Sequence, residues 1–122
     1  MMYTGIMIET PIPSDLLRGH TDTIILRLLL DGDKYGYAIT KLVYDRSEKT
    51  YELKEATMYS SLRRLENEGY ISSYWGDESQ GGRRKYYRIS DTGRDLYVKN
   101  KSDWEAAKHI LDRLLYEKGS IV

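Results

Sequence analysis

KEATMYSSLRRLENEGYISSYWGDESQGGRRKYYRIS, residues 54–90, is the stretch that decides the fold. Its first part reads as an amphipathic helix, and its second part as two alternating apolar and polar segments joined by a glycine-rich, basic loop. Met58, Leu62 and Leu65 follow the i, i+4, i+7 spacing that places side chains on one face of a helix. We therefore predict a helix from Ala56 to Glu68 that turns this face inward.

The opposite face of the predicted helix is small at its start and basic further along. Small residues let a helix approach bases, hydroxyl groups bond phosphates, and arginine is the commonest reader of guanine. The face therefore suits a duplex groove, although on charge alone a solvated surface is the commoner explanation. Tyr59 lies about a quarter turn from the core face, where it either packs or bonds a phosphate. The candidate DNA-binding residues of this segment are Lys54, Ala56, Thr57, Tyr59, Ser60, Arg63 and Arg64.

Two strands are predicted after this helix, from Ile71 to Trp75 and from Lys85 to Ile89. The connecting GDESQGG, residues 76–82, contains three glycines and is expected to protrude. From Gln80 to Ser90 there are four cations and no acid. A basic hairpin beside such a helix is typical of a winged helix that grips phosphates. The candidate DNA-binding residues of the hairpin are Gly82, Arg83, Arg84, Lys85 and Tyr87, of which Tyr87 is equally suited to cross-strand packing.

Two further helices are predicted ahead of this stretch. The apolar run at residues 16–32 predicts a first helix, with Ser14 or Thr21 as its cap and Gly32 at its end. This helix is apolar on more than one side, which indicates two packing partners. The second helix is expected from Tyr35 to about Ser47.

The second helix is expected to turn Ile39, Leu42 and Val43 inward, while Gly36 permits the close approach of a neighbouring backbone. A short strand is predicted at residues 51–53. The order of elements is then helix, helix, strand, helix, strand, wing and strand. It predicts an α+β, mostly α fold, namely a winged helix-turn-helix domain over residues 14–91.

A long helix is predicted after residues 91–93, reaching about Glu117. Some 25 residues make a rod of roughly 37 Å, which is longer than a small winged domain can cover. Apolar residues recur along it at alternating spacings of three and four, the seam of a coiled coil. We predict a homodimer in which this dimerisation helix, residues 92–118, packs against the first helix of the other subunit. The predicted interface residues are Leu26, Leu30, Tyr97, Trp104, Ile110, Leu111, Leu114 and Leu115.

Composition limits the remaining possibilities. The chain of 122 residues has no cysteine, which excludes disulfides and thiolate metal sites and is compatible with a cytoplasmic location. Its formal net charge is zero, so attraction to DNA must come from local segregation of cations. The most apolar run is far shorter than the ~20 residues of a membrane span. We read residues 1–13 as a flexible arm and residues 119–122 as a tail, with no membrane segment.

The run from Lys54 to Gly93, with DKYGYAI upstream, resembles the PadR family of bacterial winged-helix transcriptional regulators. It is most similar to the small multidrug-sensing LmrR-type branch, over residues from about Leu16 to Leu115. The resemblance implies a dimeric repressor of a multidrug-efflux or stress-response gene that binds an inverted-repeat operator in double-stranded DNA. It also implies a pore at the dimer centre in which Trp104 stacks on planar aromatic or cationic compounds.

Trp104 has two explanations. An aromatic residue on an apolar stripe usually fills a core or an interface. Its seam neighbours Asn100 and Ala107 are, however, too small to fill the space beside an indole pair, so the second explanation is a slot for a flat ligand. By resemblance, the other pore-lining positions are Leu16, Asp22, Thr23, Leu26 and Lys108, beside Asn100, Trp104 and Ala107. Lys108 replaces an acid found in that branch, which reduces the attraction for cationic compounds, and Asp22 restores part of it.

Two other classes of protein compete with a regulator. Catalysis has little support, because His20 and His109 have no sequence-adjacent catalytic partners and no metal-ligand or phosphate-binding glycine motif is present. We expect no enzymatic activity, metal or cofactor. The stronger rival is a winged-helix module that binds protein and neither DNA nor drugs. The zero net charge and the acids Glu66, Glu68, Asp77 and Glu78 near the proposed surface favour it.

Overall fold

The structure is a computed structural model that describes residues 12–76 and 82–116. Within these ranges the chain forms five helices and one antiparallel sheet of three strands, in the order β1-β3-β2. In chain order the elements are α1 (Ser14–Arg18), α2 (Thr21–Leu30), β1 (Lys34–Tyr35), α3 (Gly36–Arg46), α4 (Glu55–Asn67), β2 (Ile71–Trp75), β3 (Lys85–Ile89) and α5 (Asp91–Leu115). The predicted mostly helical winged-helix fold is confirmed. The predicted arm and tail lie largely outside the described residues, as does the middle of the wing, residues 77–81.

The predicted first helix is wrong in one respect, because it is two helices that meet at Gly19 and His20. The N-cap positions are Pro13 for α1 and His20 for α2, so neither predicted capping residue occupies one. The Thr21 hydroxyl instead donates to the Arg18 carbonyl oxygen at 3.0 Å, which fixes the angle between the two helices.

The third strand is also not where the pattern placed it. Residues 51–53 form no strand, because the Tyr51 N–H donates to the Ser47 hydroxyl at 3.0 Å and is not available to a sheet. The edge strand is β1, in which Lys34 lies opposite Tyr87 and Tyr35 opposite Tyr86. The strand therefore precedes α3.

The core lies between α2, α3, α4 and one face of the sheet. Met58, Leu62 and Leu65 are at most 1% exposed, which confirms the predicted inward face of α4. Gly69, with φ of +83°, follows the C-cap of α4. The Gly69 and Tyr70 N–H groups donate to the carbonyls of Glu66 and Leu65 at 3.0 and 2.9 Å, a Schellman arrangement that directs the chain into β2.

The α2, α3 and α5 helices complete the frame around α4. Gly36 begins α3 and is closely approached by a side chain and not by the predicted backbone, because a Cβ there would lie 2.9 Å from the Tyr59 ring carbon Cζ and would collide with its hydroxyl. Ser90 caps α5, its hydroxyl accepting from the Gly93 N–H at 3.0 Å. Over its 25 residues α5 reaches roughly 37 Å, at 1.5 Å per residue. Among the described residues, none of the helices combines the length and the apolar character that a membrane crossing requires.

Candidate nucleic-acid interface

The outer face of α4 is solvent-exposed along its length. Ala56, Ser60 and Arg63 are exposed and Thr57 is half-buried, as the helical spacing predicted. Lys54 occupies the N-cap position, where its side chain makes no capping hydrogen bond to the described residues. The Tyr59 ring packs on Gly36, as one of its two expected roles requires, while 40% of the residue's surface stays exposed.

Arg64 is the cation of α4 that has a fixed partner. Its Nη2 donates to both carboxylate oxygens of Asp22 on α2, at 2.6 and 2.7 Å. The hydrogen bond to Asp22, with the charge of the same carboxylate, raises the pKa of Arg64 above its ordinary value. The pair joins a predicted DNA-binding residue to a predicted ligand-binding residue, and no sequence pattern indicated this link.

The wing sheet has one face directed toward α4. Ser73 lies opposite Tyr87, and Trp75 opposite Lys85, so all four side chains share this face. The Ser73 hydroxyl donates to the Glu66 carboxylate at 2.6 Å, which ties β2 to α4.

Tyr87 is only 6% exposed, so the structure favours the packing alternative for it over a DNA contact. Burial raises the pKa of its hydroxyl. Next to it on this face, the Lys85 Nζ lies 6.0 Å from the Tyr87 ring centroid. Trp75, which is 56% exposed, carries the Arg83 guanidinium 5.4 Å from its ring centroid. Sequence reasoning overlooked Trp75, although its alternation with Ser73 and its position before the loop pointed to this face.

The opposite face of the sheet is a ladder of aromatic rings and cations. Tyr74 stacks on Tyr86 at 5.7 Å between ring centroids, and Tyr35 meets Tyr86 edge to face at 5.5 Å. The guanidinium of Arg84 lies 4.7 Å from the Tyr35 ring centroid, and that of Arg88 lies 5.0 Å from the Tyr74 ring centroid. Such contacts restrict the cations before any phosphate arrives.

Asp33 anchors this ladder from the turn before β1. Its Oδ2 accepts from the Tyr74 hydroxyl at 2.6 Å and from the Arg88 Nε at 3.1 Å. Burial acts to raise the pKa of Asp33, but the hydrogen bonds from Tyr74 and Arg88 outweigh it and hold the pKa below its ordinary value. The chain separation between these residues is too long for pattern reasoning to have found this cluster.

Thr23, Asn100 and Trp104, of the predicted ligand-binding residues, lie where α5 crosses α2. The Asn100 Nδ2 donates to the Thr23 hydroxyl at 3.0 Å, and the ring centroids of Trp104 and His20 lie 4.7 Å apart. Ala107 is half-buried, whereas Leu16 is 66% exposed. Lys108 pairs with Glu105 at 3.2 Å on the exposed side of α5.

Leu26 does not fit the ligand site or the subunit interface for which it was predicted. Its side chain is 0% exposed and belongs to the core of its own chain. The helix spacing had placed it on a second apolar side of the first helix, but that side is covered by the chain's own elements.

The predicted interface residues divide α5 into two halves. Tyr97 packs against the core, as does Leu30 of α2. The later residues extend into solvent in the single chain, with exposures of 54% for Ile110, 44% for Leu111, 72% for Leu114 and 66% for Leu115. The first half of α5 therefore packs on α2 of its own chain, and the apolar second half has no cover from the described residues.

Comparison with known proteins finds one matching family and several solved structures with a similar fold. Residues 25–99 match the model of the family described as the transcriptional regulator PadR-like family. An uncharacterized protein from Lysinibacillus sphaericus is 44% identical over 99 residues, which cover 81% of this chain and 91% of the relative. A transcriptional regulator from Clostridium thermocellum is 44% identical with a TM-score of 0.79, covering 85% of this chain and 98% of that one. A PadR family transcription regulator from Clostridium difficile is 38% identical with a TM-score of 0.69, covering 79% of this chain and 98% of that one.

Proposed function

Because this chain belongs to the PadR-like family of transcriptional regulators, we propose that it is a ligand-responsive repressor that binds an inverted-repeat operator as a homodimer. Regulators of this family bind DNA, typically as dimers, and are not enzymes. In the proposed complex α4 enters the major groove and the wing grips the adjacent backbone.

One observation carries the proposal for DNA contact, namely that exposed cations of the wing and of α4 lie on elements that are tied together. Lys85 lies on the sheet face directed toward α4, 6.0 Å from the Tyr87 ring centroid, and Arg63 is exposed on the outer face of α4. The hydrogen bond between Ser73 and Glu66 supports a fixed angle between wing and helix. A surface that is basic in this local way binds phosphates even in a chain of zero net charge.

The exposed second half of α5 supports the homodimer. Leu111 and Leu114 continue the seam that begins at Tyr97, and they are 44% and 72% exposed in the single chain. Burying such a stripe is favourable by roughly 25 cal/mol for each Å² of apolar surface removed from water. A second copy of the chain offers the same stripe, which makes a two-fold symmetric contact the simplest cover.

The proposed effector site is the crossing of α2 and α5, as in the LmrR-type branch that the sequence resembles. Trp104 supplies an indole that is 38% exposed, with Asn100 one turn before it and half-buried Ala107 after it. A planar compound held there between two subunits would bias the separation of the two reading helices. By linkage, DNA would change the affinity for the compound by the same factor.

Duplex binding as a function of salt tests the proposed DNA contact. We expect affinity to fall steeply with salt in the wild type, because bound cations release counterions from the duplex. Replacing Arg83, Arg84 and Lys85 by Ala should weaken binding to all sequences and flatten this dependence. Identical affinities and slopes for the two proteins, measured by fluorescence anisotropy, would exclude the wing from the interface. A wild type that captures a protein partner but no duplex would support the protein-binding rival.

A further inference from the structure

The first turns of α4 border a cleft that shares Ala56, Thr57 and Ser60 with the outer face of α4 and extends that surface to α1 and α2. The cleft has a volume of about 380 Å³ and lies between the junction of α1 with α2 and the first turns of α4. Its charged lining consists of Arg18 and Arg64, and the remainder is mostly hydroxyl-bearing. Such a set of groups is complementary to a phosphate and offers little to an apolar ligand.

Both arginines of the cleft have acidic partners that are positioned at its edge. Arg18 pairs with Asp15 at 2.7 Å, and both side chains are largely exposed, at 66% and 79%. Arg64 pairs with Asp22, whose side chain is 26% exposed and less accessible to solvent. Exposed pairs of this kind contribute little and exchange readily for another anion. The Asp22 pair is the stronger restraint, since it uses both carboxylate oxygens.

Of the hydroxyl groups in the cleft, that of Thr21 donates to the Arg18 carbonyl oxygen, and those of Thr57, Ser60 and Ser61 are available to an incoming anion. Ser61 is only 5% exposed, lines the cleft and has no hydrogen-bond partner among the described residues. Among the described residues that are not exposed, every fully buried side-chain oxygen has a hydrogen-bond partner. Because the Ser61 hydroxyl has none, it is not fully buried and opens onto the cleft. Thr57 and Ser60 also line it and likewise have no described hydrogen-bond partner. Donors left without partners beside two guanidinium groups are what a phosphate oxygen requires.

The first turns of two helices add to this preference. Thr21 begins α2, and Thr57 lies in the first turn of α4, and both line the cleft. Helices of ten and thirteen residues carry partial positive charge at these ends. These first turns also hold the acids Asp22 and Glu55, so the helix ends add to the attraction of the arginine side chains and do not act alone.

We propose that this cleft receives a backbone phosphate of the bound duplex, and that Asp22 competes with that phosphate for Arg64. The inference rests on the proposed function and extends it, because it makes Asp22 a brake on DNA affinity. Asp22 lies next to Thr23 and two residues after His20, the N-cap of α2, and these two residues contact Asn100 and Trp104 of α5. Asp22, which acts as the brake, therefore lies in the same turn of the chain as the residues that contact the proposed effector site.

Substitution of Asp22 by Asn tests the proposal, because it removes the competing charge and keeps the shape of the side chain. We expect Asp22→Asn to raise affinity for any duplex by about twofold to fivefold, the range of a weak surface ion pair. The slope of log affinity against log salt should steepen by about one per subunit. When Arg64→Gln is already present, adding Asp22→Asn should leave the duplex affinity unchanged, because the expected gain in affinity depends on the Arg64 guanidinium. Asp31→Asn is the matched control, since it removes the same charge from a pair with Arg27 and Arg46.

Three results would overturn the proposal. The first is an unchanged affinity and slope in Asp22→Asn while the wild type binds duplex with a normal salt dependence. The second is an equal gain in Asp31→Asn, which would show that only total charge matters. The third is a set of two observations. Inorganic phosphate at fixed ionic strength stabilises Asp22→Asn but not Arg64→Gln, and the duplex affinity of Asp22→Asn equals that of the wild type. This result would assign the cleft to free phosphate. A wild type that binds no duplex would refute the proposed function itself.

Discussion

The indole of Trp104 meets the imidazole of His20 edge to face, with 4.7 Å between the ring centroids and 74° between the ring planes. This contact joins α5 to the residue that precedes α2 within a single chain. It occupies one edge of the indole and leaves the residue 38% exposed. Trp104 is therefore held in one orientation by its own subunit while part of its ring stays accessible to a ligand or a second subunit.

We predict that planar aromatic compounds quench the fluorescence of Trp104. The chain has two tryptophans, so Trp75→Phe leaves Trp104 as the sole reporter and Trp104→Ala leaves Trp75. Titration of both variants without DNA should give saturable quenching in Trp75→Phe and none in Trp104→Ala. Superimposable titration curves would remove Trp104 from the binding site.

The exposed second half of α5 predicts that a single charge at its seam disrupts the homodimer. Leu111→Lys should shift the protein to monomer in sedimentation velocity, because two lysines would face each other in an apolar contact. Val98→Lys is the matched control, since Val98 is 63% exposed on the same helix but off the seam. Both variants should keep the helical circular dichroism of the wild type. A Leu111→Lys protein that remains dimeric would place the interface elsewhere.

Asp33 predicts a dependence of stability on pH. Its pKa is lowered in the folded chain, so its contribution is fully present above the unfolded value of ~3.9 and is lost as pH falls through the folded value. Asp33→Asn should cost roughly 1 kcal/mol of unfolding free energy at neutral pH, through weakened hydrogen bonds to Tyr74 and Arg88. The difference from wild type should shrink in urea unfolding near pH 3. Asp95→Asn, at an exposed acid without an ion pair to the described residues, should show no such change.

Gly36 predicts a steric limit at the contact between α3 and α4. A Cβ at this position would collide with the Tyr59 hydroxyl and lie 3.2 Å from the Met58 Cε. Gly36→Ala should therefore lower the unfolding free energy by about 1–3 kcal/mol, the usual cost of overpacking. Gly19→Ala is the control, because nothing lies within 4 Å of a Cβ there. Equal stability of the two variants would show that Tyr59 moves away without cost.

Local patterns were sufficient to predict much of the fold. The spacing of Met58, Leu62 and Leu65 predicted the buried face of α4, and alternation predicted the bounds of β2 and β3. These features depend on neighbours in sequence, which periodicity reports directly. The edge strand was misplaced because β1 consists of only Lys34 and Tyr35, and two residues are too few to show an alternation of apolar and polar side chains.

Features that join distant parts of the chain were beyond such patterns. The pairs of Asp22 with Arg64 and of Asp33 with Arg88 span 42 and 55 residues, and no local rule selects these partners. The full burial of Leu26 was missed for a related reason. A helix that is apolar on two sides is expected to be packed on both. The pattern does not indicate whether the residues that pack there belong to the same chain or to a second one.

Selection of duplexes from a random pool with the purified protein tests the central claim most directly, namely that two copies of this chain read DNA together. The account predicts enrichment of an inverted repeat whose half-sites are centred about 10 base pairs apart or a multiple of that, as two symmetric reading helices require. Enrichment of a single undivided half-site, or of no sequence at all, would contradict it.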